Sequence, residues 1–116
     1  MQKARLDQLD PFITADGSTI RELAHTERQS LAEATVDPGG ETAEHYHPKA
    51  EELYFFTSGS GVLRLGSDEA EIAAGDCVTI PPGTPHKLWN PNDQPLVLLC
   101  CCVPAYEHTD TILTGK

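Results

Sequence analysis

The sequence predicts a single all-β domain, folded as a sandwich or a barrel. Its 116 residues match the size of one domain and suffice to enclose a hydrophobic core without disulfides. Nine glycines and nine prolines lie mostly at breaks between short apolar runs, as at 37–40, 58–61, 81–83 and 90–93. Short apolar runs separated by such turn residues are typical of β-sandwiches and barrels, and no window has a convincing helical period.

In the first half of the chain, turn residues delimit a series of short strands. Residues 16–20 begin with Asp-Gly-Ser, which predicts a turn leading into a short strand or arm. The strand-like run 31–36 ends at the Asp-Pro-Gly-Gly turn at 37–40. The next strand is predicted at 42–47, where a proline stops it, and the aromatic-rich strand 52–57 follows.

The second half of the chain continues this pattern. Residues 62–65 and 69–73 are predicted to form a hairpin around a Gly-Ser-Asp turn. The strand 77–80 is stopped by two consecutive prolines, and the strand 86–90 follows them. After an Asn-Pro-Asn-Asp turn comes the longest apolar run, 96–103. We therefore expect about eight or nine short strands and no helix.

We expect the domain to have three segments. An N-terminal arm or strand covers 1–28, a β-barrel covers 29–103, and a C-terminal tail covers 104–116. The tail shows no clear pattern, so its role is left open at this point.

The charge of the chain argues against two classes of partner. The net charge is -10, with 18 acidic and 8 basic residues, and that field would repel nucleic-acid phosphates and anionic membranes. The first ten residues lack the apolar core of a secretory signal, and the longest apolar run is too short to span a bilayer. We therefore expect a cytoplasmic protein that binds neither nucleic acid nor membrane.

Four cysteines occur, at Cys77 and in the run Cys100–Cys102. None forms a Cys-x-x-Cys pair, which argues against a structural zinc site. Neighbours in a strand point to opposite faces, so at most two members of the run share a face. We interpret them as apolar strand residues, with a redox role or a role beside a metal site as the alternative.

Two fragments of the chain carry side chains that bind metals. Residues 39–59 have the spacing Gly-x5-His-x-His-x4-Glu-x6-Gly, and residues 75–90 have the spacing Gly-x5-Pro-x-Gly-x2-His-x3-Asn. Three imidazoles and one carboxylate are a ligand mix that suits a divalent transition metal. The four candidate ligands are His45, His47, Glu52 and His86.

Strand geometry predicts that these side chains can meet. Residues two apart in a strand point to one face, so His45 and His47 would project together. By the same alternation Glu52 would share a face with the two aromatic residues that follow it at 54 and 56. His86 would enter from a separate strand, and a barrel interior can collect all four side chains at one point. Such a set leaves coordination positions open on an octahedral ion.

Each of these residues also has an ordinary explanation on its own. A single histidine in a strand is usually a surface or core residue, and we expect that of His25 and His108. Glu52 alone would be a solvated carboxylate. The joint spacing of the four side chains is what favours a metal site over separate structural roles.

The two fragments resemble the two motifs of the cupin superfamily, with every defined position present. The resemblance covers 39–59 and 75–90 and implies a jelly-roll barrel, the double-stranded β-helix, that is often dimeric. It also implies metal ligation by the four candidate ligands, without identifying the metal as iron, manganese, nickel, cobalt or zinc. The resemblance does not specify a reaction, because cupins include enzymes of several classes and non-catalytic binding modules.

Some cupin subfamilies fit the residues less well than others. Oxalate-type cupins have an arginine three residues before the first motif histidine, and that position is Thr42 here. Arg64 would replace it only if its side chain faced inward. Cysteine-type thiol dioxygenases lack the glutamate, so Glu52 argues against them.

The function that the sequence favours is that of a metal-dependent dioxygenase acting on a small, partly apolar substrate. Glu52 would act as a ligand and as a base, and Tyr54, Phe56 and Leu88 would form the substrate pocket. One alternative is a non-catalytic module that binds a small acid or sugar. Another is an isomerase or decarboxylase that uses the metal as a Lewis acid without oxygen.

A homodimer is expected from the aromatic residues predicted to point outward. Tyr46, Phe55 and Trp89 alternate with the inward-facing residues of their strands. An outward aromatic patch and exposed strand edges favour cover by a second copy of the chain.

Overall fold

The computed structural model of the chain describes residues 1–116 and contains eleven strands in two antiparallel sheets. Short turns link most consecutive strands, as the glycine and proline positions predict. The strands are β1 Phe12–Ile13, β2 Thr19–His25, β3 Ser30–Val36, β4 His45–Tyr46, β5 Glu51–Ser58, β6 Ser60–Leu65, β7 Asp68–Ala73, β8 Cys77–Ile80, β9 His86–Trp89, β10 Leu96–Val103 and β11 Ile112–Leu113.

The two sheets form the two sides of a jelly-roll barrel. One sheet has six strands in the order β1-β2-β3-β10-β5-β8, and the other has five in the order β11-β4-β9-β6-β7. The predicted all-β jelly-roll class is therefore confirmed. The chain has two single-turn 3₁₀ helices, and no helix is long and apolar enough to cross a membrane.

The hydrophobic core lies between the inner faces of the two sheets. Strand β5 shows why, since its buried and exposed residues alternate strictly through its first six positions. Phe56, Leu96 and Leu98 are fully buried. The core cluster comprises Ile20, Ala32, Ala34, Val36, Tyr54, Phe56, Leu63, Ile72, Ile80, Leu88, Leu96 and Leu98.

The strand expected at 42–47 is shorter in the structure. Only His45–Tyr46 pair as a strand, because the preceding residues bond elsewhere. The Thr42 hydroxyl accepts a hydrogen bond from the backbone N–H of Leu88, and the N–H of Ala43 donates to the carbonyl of Asp16 at 2.7 Å. These bonds tie the segment to the N-terminal arm and to β9 instead of extending a regular ladder.

The C-terminal tail is ordered against the barrel. A 3₁₀ turn at His108–Asp110 leads into β11, and β11 pairs with β4, with Leu113 opposite His45. The sequence showed no pattern here because two-residue strands carry too few residues for alternation to be visible.

Candidate metal centre

Three histidine side chains converge inside the barrel. His45 lies on β4 opposite His86 of β9 in the strand register, and His47 follows β4 directly. One ring nitrogen from each residue falls in a group whose members are all within 4.8 Å of one another. All three residues are at least 96% buried, so an imidazole cluster is held where water has little access.

The three histidines share one hydrogen-bonding arrangement. Each Nδ1 donates to a backbone carbonyl: His45 to Ala43 at 2.9 Å, His47 to Asp110 at 3.0 Å, and His86 to Thr84 at 3.0 Å. This arrangement selects the neutral tautomer with its lone pair on Nε2. Metal-binding histidines are oriented by such bonds to the other ring nitrogen.

Glu52 completes the cluster from β5. Its Oε1 atom lies 3.3 Å from Nε2 of His47 and 3.5 Å from Nε2 of His86. The Cys102 thiol of the adjacent strand β10 donates to the other carboxylate oxygen, Oε2, at 3.2 Å. The carboxylate is therefore held from one side with Oε1 directed at the imidazoles.

These residues fit a divalent metal. Glu52 Oε1 and His86 Nε2 are buried and have no hydrogen-bond partner, which is costly for polar atoms in a protein interior. Two ligand atoms on one ion with bonds of about 2.1 Å are separated by about 3.0–3.4 Å. The contacts from Glu52 to the two histidines have nearly this length, and a shared ion would satisfy the unpartnered atoms.

The protonation of the cluster also suits a cation. Burial favours the neutral form of Glu52, but the adjacent imidazoles of His47 and His86 favour the carboxylate more strongly and hold the pKa of Glu52 at about 2. Burial, together with the neighbouring His86, lowers the pKa of His45. Burial and the adjacent Glu52 carboxylate raise the pKa of the Cys102 thiol, so it remains a donor. Ionised Glu52 and neutral His45 are the forms that bind a metal.

Asp16 is a second carboxylate at the site, and it lies outside the two sequence motifs. It lies in the turn between β1 and β2, and its Oδ2 atom is 3.5 Å from Nε2 of His45. The only sequence signal at this position is Asp-Gly-Ser, a pattern that indicates a turn and not a binding site. Nothing in the local pattern indicated that this turn folds over the histidine cluster.

The cluster opens into a narrow cavity of about 50 Å³ that is partly open to solvent. Tyr54 and Leu88, two of the three expected pocket residues, line it together with Cys100 and Cys102. Phe56 does not line it. Its side chain is fully buried in the core, with its ring 6.1 Å from that of Tyr54, because it lies one step further along the same inner face.

Arg64 does not face the cavity. Its guanidinium binds Glu44 at 2.7 Å and lies 5.2 Å from the Trp89 ring centroid. Neither Thr42 nor Arg64 therefore presents a cation to a bound anion. Both positions differ from the arrangement expected of oxalate-type cupins.

The comparisons with known proteins agree with this architecture. A family model described as a cupin domain matches residues 32–102. The protein MJ1618 of Methanocaldococcus jannaschii is 45% identical over 114 residues, which cover 94% of this chain and 91% of that protein.

Two solved structures share the fold at lower sequence identity. The polyketide cyclase RemF from Streptomyces resistomycificus superposes with a TM-score of 0.85 at 23% identity, covering all of this chain and 87% of RemF. The Streptomyces nucleoside dehydratase Pac13 superposes with a TM-score of 0.81 at 20% identity, covering 99% of this chain and 92% of Pac13.

Proposed function

The chain belongs to the family of cupin domains, and from that premise we propose that it is a metal-dependent enzyme acting on a small molecule inside the barrel. One divalent transition metal would be held by His45, His47, His86 and Glu52. The observation that carries this proposal is the pair of buried, unpartnered atoms Glu52 Oε1 and His86 Nε2. A bound metal would supply Lewis-acid chemistry or, for a redox-active ion, redox chemistry.

The residues around the cluster would divide the remaining tasks. The Cys102 thiol orients Glu52 through its hydrogen bond, and the backbone carbonyls orient the imidazoles. Tyr54 and Leu88 limit water on the inner wall of the cavity. Asp16 Oδ2 accepts no hydrogen bond within the chain and faces the cluster, so it is placed to accept a proton from a bound molecule.

Two reaction classes follow from this arrangement. The dioxygenase class expected from the sequence uses the ligand set and the apolar wall. Proton transfer with the metal as a Lewis acid, the basis of the isomerase or decarboxylase alternative, is supported by Asp16, because a second carboxylate is a ready base. The likeness to the dehydratase and the cyclase shows the fold and carries no argument about the reaction.

Elemental analysis tests the metal proposal. The protein is purified without chelator or polyhistidine tag beside a His45→Ala/His86→Ala double variant and a His25→Ala control. We expect about one equivalent of metal in the wild type and in the control, and loss in the double variant. Absence of metal from the wild type, even after reconstitution, would contradict the proposal.

Oxygen uptake separates the two reaction classes once a substrate is identified. Turnover that consumes oxygen supports a dioxygenase, and undiminished turnover under anaerobic conditions supports proton transfer. Glu52→Gln tests the base role separately. Unchanged turnover in that variant would remove the base role and leave proton transfer to Asp16.

A further inference from the structure

The cavity above the histidine cluster is lined by acidic side chains and by no lysine or arginine. The acidic residues are Asp16, Glu22 and Glu52. Two basic residues that adjoin lining residues in the sequence bond elsewhere: Arg21 donates to the carbonyl of Leu9, and Lys87 donates to the carbonyl of Lys116. An anion entering this cavity would therefore meet carboxylates without a guanidinium or ammonium partner.

Asp16 is fixed in its position by its own turn. Its Oδ1 atom accepts hydrogen bonds from the Thr14 hydroxyl, from the Ser18 hydroxyl at 2.7 Å and from the Ser18 backbone N–H at 3.0 Å. All three donors are on one oxygen, which leaves Oδ2 as an oriented acceptor 3.5 Å from Nε2 of His45. The carboxylate needs no rearrangement to accept a hydrogen bond from a ligand.

The charge of the site changes when Asp16 is counted. A divalent ion with Glu52 alone carries a net charge of about +1, which attracts anions. Adding the Asp16 carboxylate brings the net charge to about zero. Because Glu52 is buried and the Asp16 side chain is only 12% exposed, their effect on a bound anion is screened less than that of surface carboxylates.

The remaining cavity wall is largely apolar, with a few hydroxyl groups. Ile20, Val36 and Leu98 supply apolar surface, and Ser30 and Tyr106 supply hydroxyls. Such a lining suits a ligand with an apolar body and a few polar groups.

We propose that this cavity selects uncharged, hydroxyl-bearing, partly apolar molecules over carboxylates and phosphates, with Asp16 as the residue that determines the selection. A ligand hydroxyl donates to Asp16 Oδ2 while the apolar body packs on the wall. The inference rests on the proposed metal-dependent function for its substrate, but the charge preference itself arises from side chains that are present with or without a metal.

A matched pair of ligands tests the selection by calorimetry. 3-Hydroxybenzyl alcohol and 3-hydroxybenzoate have nearly the same shape and differ in charge. We expect the wild-type protein, loaded with redox-inactive zinc, to bind the alcohol about tenfold more tightly than the benzoate. In Asp16→Asn, loss of the charged acceptor should lower the affinity for the alcohol about tenfold and raise the affinity for the benzoate. The benzoate would then bind more tightly than the alcohol.

The control is Asp68→Asn, the same chemical change at an exposed position on β7, and it should keep the wild-type order. Ser18→Ala removes a hydrogen-bond donor to Oδ1 of Asp16 but keeps the charge of that carboxylate. This variant should therefore also bind the alcohol more tightly than the benzoate. If the melting temperature of Asp16→Asn is below that of the wild type, Asp16→Ser is titrated with the two ligands in its place.

Three results would overturn the inference. They are tighter binding of the benzoate by the wild type, an unchanged order in the Asp16 variant, and binding of neither ligand by the wild type. Zinc content is measured on the same samples, and the titrations are repeated on metal-free protein. If the wild-type protein holds no zinc but still binds the alcohol more tightly than the benzoate, the proposed function alone is refuted. If the protein holds zinc but does not bind the alcohol more tightly, only the selection by Asp16 is refuted.

Discussion

At the scale of the residue, the site is defined by where hydrogen bonds go and where they are missing. Each site histidine uses Nδ1 for a backbone carbonyl, so the Nε2 atoms are left facing one another. Glu52 uses Oε2 for the Cys102 thiol and leaves Oε1 unpartnered. Buried polar atoms rarely remain unpaired in a folded protein. The unpaired atoms therefore support the proposed metal site.

Protons and metal compete for the same imidazole nitrogens, which gives a pH dependence. Burial opposes protonation of His47, but the Glu52 carboxylate, 3.3 Å from Nε2, outweighs burial and raises the pKa of His47. We expect the affinity for cobalt or zinc to fall as the pH decreases through about 6.5, the ordinary pKa of histidine. The fall should begin above this pH, because the raised pKa of His47 lets it bind a proton at a higher pH. Glu52, with a pKa of about 2, stays ionised throughout.

Metal titrations between pH 8 and pH 5 measure this effect. His25→Ala is the control, because that histidine is on the surface and its loss should leave the profile unchanged. An affinity that is independent of pH across this range would show that the histidines are not the ligands.

At the scale of the element, the C-terminal tail supports the site from outside the barrel. The Asp110 carboxylate accepts hydrogen bonds from the backbone N–H groups of Lys49 and Ala50, just before β5. The Asp110 carbonyl accepts the bond from Nδ1 of His47. One residue of the tail thus orients a candidate ligand and anchors the turn between that ligand and Glu52.

Replacing Asp110 tests this support. Asp110→Ala leaves two backbone donors without their carboxylate, and we expect the free energy of unfolding to fall by about 1–3 kcal/mol. Metal affinity should fall about tenfold, because the turn that positions His47 is loosened. Thr109→Ala, at an exposed neighbouring position, is the control. Unchanged melting and metal affinity in Asp110→Ala would mean that the tail has no supporting role.

The close approach of β6 to β9 is a second element-scale feature. A Cβ atom at Gly61 would lie 2.4 Å from the carbonyl oxygen of Trp89 and 3.0 Å from Cδ2 of Leu96. We therefore expect Gly61→Ala to lower the free energy of unfolding by about 1–3 kcal/mol in urea denaturation, through overpacking. Ser58→Ala, at an exposed position on β5, the strand that precedes β6 in the chain, is the comparison. Equal stabilities would indicate that the two strands separate at no cost.

At the scale of the whole molecule, the outer face of the six-stranded sheet carries an apolar patch. Leu53, Phe55 and Val103 are 40%, 41% and 52% exposed, and Leu99 lies opposite Phe55 in the register. Trp89, one of the aromatic residues expected to need cover, is flanked by Arg64 and Lys87 at 5.2 and 5.1 Å from its ring centroid. The sheet face around Phe55 is therefore the better surface for a second copy of the chain.

The solution mass tests the homodimer. We expect twice the chain mass of 12.6 kDa by light scattering, and a return to the single-chain mass in Phe55→Lys, because the buried charge would lack a partner. Phe12→Lys changes an equally exposed phenylalanine on β1 and should leave the mass unchanged. A wild-type mass of 12.6 kDa would contradict dimerisation.

The sequence by itself determined the fold class and the four candidate ligands. Both rest on local patterns: turn residues mark where strands end, and two-residue alternation assigns His45 and His47 to one face. The strands at 77–80 and 96–103 appear in the structure with the predicted bounds. Local patterns of this kind survive folding because the backbone geometry that produces them is itself local.

The tertiary structure decided which distant residues join that set. Asp16 reaches His45 from a turn outside the motifs, Cys102 contacts Glu52 from the adjacent strand β10, and Asp110 reaches His47 from 63 residues away. Phe56 does not line the cavity although its alternation matched that of Tyr54, which does. No local period encodes such contacts, because they depend on how the two sheets and the tail pack, which is settled by the whole chain at once.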